Sequence, residues 1–157
     1  MKFLVTKDLA HSSLLGKLMA GVCMALFFYL GLDVILHAYV LGEDVKSIQT
    51  TLYGNTEEFI EPILFDTLLL QVHSDLFMML FTILIIASIY IRLYSTKVMT
   101  KWLVHGLFVF GLLAPLCLLV AYANAEVFVY IWLATFVPGH LLGMGMAWFN
   151  VKKLVFR

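Results

Sequence analysis

The sequence predicts an all-α bundle of four membrane-spanning helices, and three observations predict it. Hydrophobic residues make up 63% of the 157 and charged residues only 13%, which is more apolar side chain than one soluble domain of this size could bury. Four runs, approximately 18–41, 67–93, 102–123 and 127–149, each supply the roughly 20 helical residues that a hydrocarbon core of ~30 Å requires. None shows the strict apolar/polar alternation of a membrane barrel strand, so the backbone groups must be satisfied within helices.

The first run is long, is interrupted by charge and lacks a small-residue cleavage pattern before the acidic connection, so it reads as a permanent span and not a secretory signal. The preceding MKFLVTKDLAHSS is a lead-in whose SSLL step marks a helix start. The connection 42–66 is acidic and holds the turn signal Tyr53-Gly54-Asn55 and the helix-permitting EEFIEPILF, so it is expected to form a partly ordered cap. The connection YSTKVMTK is short, which makes the second and third spans antiparallel neighbours. Asn124-Ala125-Glu126 joins the last two, and residues 1–157 form a single transmembrane domain without repeats.

Charge sets the expected orientation. Lys2, Lys7, Lys17, Arg92, Lys97, Lys101, Lys152, Lys153 and Arg157 fall on the side holding both termini, leaving Lys46 as the one basic residue of the ten on the other side. That other side holds Glu43, Asp44, Glu57, Glu58, Glu61, Asp66 and Glu126. The positive-inside rule then places both termini in the cytoplasm, with the acidic connection outside. The expected location is the bacterial inner membrane, the lipid bilayer is the first partner, and the charge pattern reports topology without implying nucleic acid.

Within the spans, Pro115 and Pro138 should each bend their helix. Gly139, Gly143 and Ala147 form a small-residue ridge that favours close helix packing. Cys23 and Cys117, the two cysteines, sit at different depths and read as apolar packing residues instead of a disulfide.

Ionisable groups inside a bilayer are costly unless paired, hydrated or bound, which makes them candidate functional residues. Here they are Asp33, His37, His73, Asp75, His105 and His140, one histidine per span. At ~1.5 Å rise per residue, His37 lies roughly 6 Å and His73 roughly 9 Å from the outer boundary, with Asp33 and Asp75 both roughly 12 Å down. Asp33 and His37, four apart, share a helix face. His73 and Asp75 are about 200° apart around their helix and cannot both point inward. Near the other boundary His105 and His140 differ in depth, and His11 lies outside the hydrocarbon.

Three chemistries suit such residues. Two imidazoles at equal depth can ligate a haem iron axially. Histidines with aspartates can hold a bare copper, iron or zinc ion. Alternating Asp and His can also relay protons.

QVHSDLFMMLFTILIIASIYIRL, HGLFVFGLLAPLCLLVAYA and GHLLGMGMAWF resemble the second, third and fourth helices of the bacterial four-helix membrane cytochromes b, the haem-carrying anchors of quinone-linked oxidoreductases. The chain departs from that pattern at Glu126, where the family usually has a second fourth-helix histidine, and in the first helix, where only His11 lies near the cytoplasmic start. The resemblance implies haem b, held by His37 and His73 at an outer site with His105 and His140 as inner candidates. It further implies electron transfer between a quinone pool and a partner, with Asp33 and Asp75 handling protons. The alternatives are a non-haem metal site of Asp33, His37, His73 and Asp75, and an accessory subunit of a larger respiratory membrane complex.

Overall fold

The computed structural model describes residues 13–123 and 126–156. The lead-in and His11, with Asn124 and Ala125 of the last turn, lie outside the described residues. Five helices follow in order: α1 Ser13–Val40, α2 Val45–Tyr53, α3 Phe65–Leu93, α4 Val98–Tyr122 and α5 Val127–Val155. Four of these are long and apolar enough to cross a membrane. They exceed the sequence-derived runs at the starts of α1, α3 and α4 and most of all at the C-terminus of α5. Helix propensity carries on past the hydropathy boundary there, because Lys152 and Lys153 in the last turn favour the negative end of the helix dipole.

The helices do not form a closed square. α5 packs against α1, α3 and α4 and touches α2, whereas α1 and α3 barely meet. Missing side chains explain why α5 can sit at the centre. A Cβ on Gly139 would lie 3.3 Å from Phe110 Cβ on α4, and one on Gly143 would lie 2.8 Å from Leu30 Cδ1 on α1. The small-residue ridge is therefore a packing surface used on two sides. Pro115 and Pro138 lie inside continuous helices.

Apolar layers lie above and below the middle of the bundle. Toward the α2 end, Leu41, Ile48, Leu52, Leu68, Val129 and Trp132 are part of one buried cluster. Toward the opposite end, Leu30, Ile83, Ile86, Leu107 and Met146 belong to another. Cys23 and Cys117 are free and buried in different clusters.

The acidic connection does cap the bundle, through α2. Asp44 starts that helix with a capping box: its carboxylate accepts from Ser47 N–H at 2.7 Å, and its own N–H donates to Ser47 Oγ at 3.1 Å. These bonds hold the Asp44 carboxyl below its ordinary pKa. The Tyr53 hydroxyl donates to Ala121 O at 2.7 Å and ties α2 to the end of α4; burial and the Glu126 charge raise its pKa. The stretch EEFIEPILF does not become a helix. It forms a tight turn closed by paired backbone bonds between Asn55 and Ile60, with Phe59 at a positive φ of 56°, and Pro62 biases Glu61 away from helical geometry.

Candidate functional site

Between the two apolar layers the bundle holds a chain of alternating imidazoles and carboxylates from three helices. On α1, one turn separates Asp33 from His37, and the His37 Nδ1–H donates to the Asp33 carbonyl at 2.9 Å. The other ring nitrogen, Nε2, lies 3.0 Å from Asp75 Oδ2 on α3. Asp75 Oδ1 accepts from the Gln71 amide at 3.3 Å, one turn earlier on the same helix. On α5 the His140 Nδ1–H donates to the Phe136 carbonyl at 2.8 Å, and Nε2 lies 2.8 Å from Asp33 Oδ2. The network thus runs His140, Asp33, His37, Asp75, Gln71.

Burial is graded along it. The two histidine side chains are 2% exposed, against 11% for Asp33 and 15% for Asp75. Phe136 packs against both imidazoles, its ring tilted to each with its centroid 4.6 Å from His37 and 4.1 Å from His140, and Trp132 closes the same side. A wall of aromatic carbon therefore fixes both rings while their nitrogens face the carboxylates.

Donor and acceptor matching sets the proton content. A carbonyl oxygen can only accept, so each Nδ1 must be the N–H that faces it. Each Nε2 then meets a carboxylate oxygen, and a hydrogen bond there needs one further proton on either the ring or the acid. Each imidazole–carboxylate pair is therefore neutral as a unit, which lets four titratable groups persist in an apolar bundle.

Three of these residues can also converge on a cation. Asp33, His37 and Asp75 each offer a ligand atom, and all three atoms lie within 4.8 Å of one another. Donors on a tetrahedral zinc ion with bonds near 2.1 Å are roughly 3.4 Å apart, so side-chain adjustments of about 1 Å would close the set. One imidazole nitrogen with two carboxylate oxygens suits zinc, copper or non-haem iron.

The structure brings together Asp33, His37, Asp75 and His140 and leaves His73 and His105 apart. His73 lies on the exposed face of α3, away from Asp75 as the angle between them requires. It is not beside His37, whose Nε2 is engaged by Asp75. His105 is exposed on α4 and its Nδ1–H donates to the Lys101 carbonyl at 2.7 Å. His140, expected as its partner at an inner layer, instead joins the Asp33 layer. Gln71 and Phe136 were not singled out from the sequence. Gln71 stands four residues before Asp75 and Phe136 four before His140, a helical spacing that could have pointed to both.

No protein-family model, curated protein or solved structure matches the chain.

Proposed function

We propose that this protein binds a divalent transition-metal ion inside the membrane, at Asp33, His37 and Asp75, and serves in metal handling. The observation that carries this reading is the convergence of three ligand atoms from two helices within 4.8 Å in the bundle interior. His140 supports the site from behind by holding Asp33, the kind of outer hydrogen bond that orients metal-binding carboxylates. The charge asymmetry supports an orientation with both termini cytoplasmic, in which the site would lie in the outer half of the bundle.

The cytochrome b resemblance makes a different demand, two imidazoles free to face one iron. Both buried histidines have their Nε2 atoms on carboxylates, and this favours the bare ion. One preparation tests both readings. Protein purified in detergent and exposed to Zn²⁺ or Co²⁺ should retain about one ion per chain by elemental analysis, at the stoichiometry of a single site. An Asp33→Asn, Asp75→Asn double variant should retain none. Reduced-state haem bands in the absorption spectrum, with no retained metal, would overturn the proposal in favour of the cytochrome.

A further inference from the structure

From the gap between α1 and α3 we infer that the buried site opens sideways, through a hydrated cleft that admits a small inorganic cation from the α2 end. This rests on the metal reading above for the identity of the occupant, but not for the existence of the route. The cleft has a volume of about 390 Å³, and the carboxylates of Asp33 and Asp75 form part of its wall. It exists because α5 takes the central packing role, leaving α1 and α3 with little contact.

The other routes are shut. Along the bundle axis, the buried layer containing Leu41, Ile48, Leu52, Leu68 and Trp132 closes the α2 end, and the layer containing Leu30, Ile83, Ile86 and Met146 closes the other. On the α5 side the aromatic wall of Phe136 and Trp132 covers the imidazoles. Among the described residues the cleft brings the acids to a surface, consistent with Asp33 and Asp75 being more exposed than the histidines behind them.

One strip of its lining is polar: Thr67, Gln71, Ser74 and Asp75 border it alongside the apolar Leu36, Leu70 and Met78, and positions 67, 71, 74 and 75 follow one stripe of α3 because three- and four-residue steps stay on one face. The stripe descends from the α2 end to the site, offering a hydroxyl, an amide, a hydroxyl and a carboxylate in turn. A cation shedding its water finds oxygen ligands at each step. Next to the head of the stripe stands the exposed Asp66, and the exposed Glu57, Glu58 and Glu61 of the preceding connection add negative charge that raises the cation concentration at that end of the bundle. Gln71 stands part-way down the route, its amide nitrogen 3.3 Å from both Asp75 Oδ1 and His37 Nε2, so an arriving ion must displace that amide from the acid.

Cysteine accessibility in liposomes tests the route. Ser74→Cys places a thiol in the cleft. Leu113→Cys places one on α4, at an exposed position nine residues from the α2 end of its helix, as Ser74 is from the start of α3. Both native cysteines are buried, so wild-type protein is the blank. A membrane-impermeant trimethylammonium methanethiosulfonate, present on both sides of the vesicles, should modify Ser74→Cys within minutes and leave Leu113→Cys as unreactive as wild type. Modification should slow Co²⁺ loading at least tenfold, whereas a methyl adduct at the same thiol should leave loading near its original rate. Equal inertness of the two thiols in folded, monodisperse protein would overturn the inference, as would rapid modification without slower loading. If wild-type protein binds no Co²⁺ the metal reading falls, and the contrast between the two thiols by itself decides whether the cleft is hydrated.

Discussion

His140 Nε2 lies 2.8 Å from Asp33 Oδ2, joining the middle of α5 to the last third of α1 across 107 residues of sequence. Nearer the other end of the bundle the Cys23 side chain of α1 meets the Asn150 side chain of α5, and at the depth of the site the His140–Asp33 pair sets the register of the two helices by a directional bond where apolar packing alone would allow sliding.

Removing His140 should therefore cost stability as well as position. His140→Ala leaves the Asp33 carboxyl without its partner at a mostly buried site. Breaking a buried pair typically costs 3–5 kcal/mol, and the residual exposure of Asp33 places this case toward the lower end, about 3 kcal/mol. Thermal unfolding in detergent should show the loss. Adding Asp33→Asn should recover part of it, because an amide is cheaper to leave buried than an acid. Additive losses in the double variant would mean that the two residues do not act as a pair.

How far the site could be read from the sequence follows from which geometric rule applied to each residue. Asp33, His37 and Asp75 were legible as one layer, since all three were measured from the same boundary and short helical stretches keep depth errors small. His140 was not, because its depth was counted from the opposite boundary, while α5 continues to Val155 and the helices are staggered. His73 was taken with His37 on depth alone. The 200° separation from Asp75 already implied that one of the two points outward, but sequence could not say which. The four spans were legible from hydropathy, whereas α2 was visible only as a cap of unspecified form, its nine residues being too short for a periodic signal.

The outward histidines give a clean expectation. His73→Ala and His105→Ala should each retain wild-type metal content, and their unfolding free energies should stay within about 0.5 kcal/mol of wild type, the range of surface changes. Loss of metal in His73→Ala would revive the pairing of His73 with His37 and contradict the geometry around Asp75.

At the α2 cap the pH dependence has a definite sign. The Asp44 carboxyl is held below its ordinary value by Ser47. Its contribution to α2 is therefore fully present above the unfolded pKa, near 3.9, and is lost as pH falls through the lower folded value. Hydrogen exchange at the first amides of α2 should accelerate relative to the intrinsic rate as pH drops below about 4. Asp44→Asn, which keeps an acceptor but no titrating group, should remove that pH dependence.

Metal binding at the network should release protons, and the hydrogen bonds say how many. Each imidazole–carboxylate pair shares one proton between Nε2 and Oδ2, so the His140–Asp33 and His37–Asp75 pairs together hold two. A divalent ion ligated by Asp33, His37 and Asp75 needs the His37 nitrogen free and the Asp75 carboxylate ionised, so the proton that joins those two must leave. The other proton stays on His140 Nε2, which goes on donating to the ionised Asp33. Apparent affinity should rise with pH, by up to about one log unit per pH unit while the His37–Asp75 proton remains bound. Calorimetry in buffers of different ionisation enthalpy should return close to one proton released per ion. Asp75→Asn removes that shared proton together with a ligand, so its residual binding should be weaker and release close to none. Wild-type binding that releases no proton and does not change with pH would place the ion elsewhere in the protein, because no ion can occupy His37 and Asp75 while the proton that joins them remains.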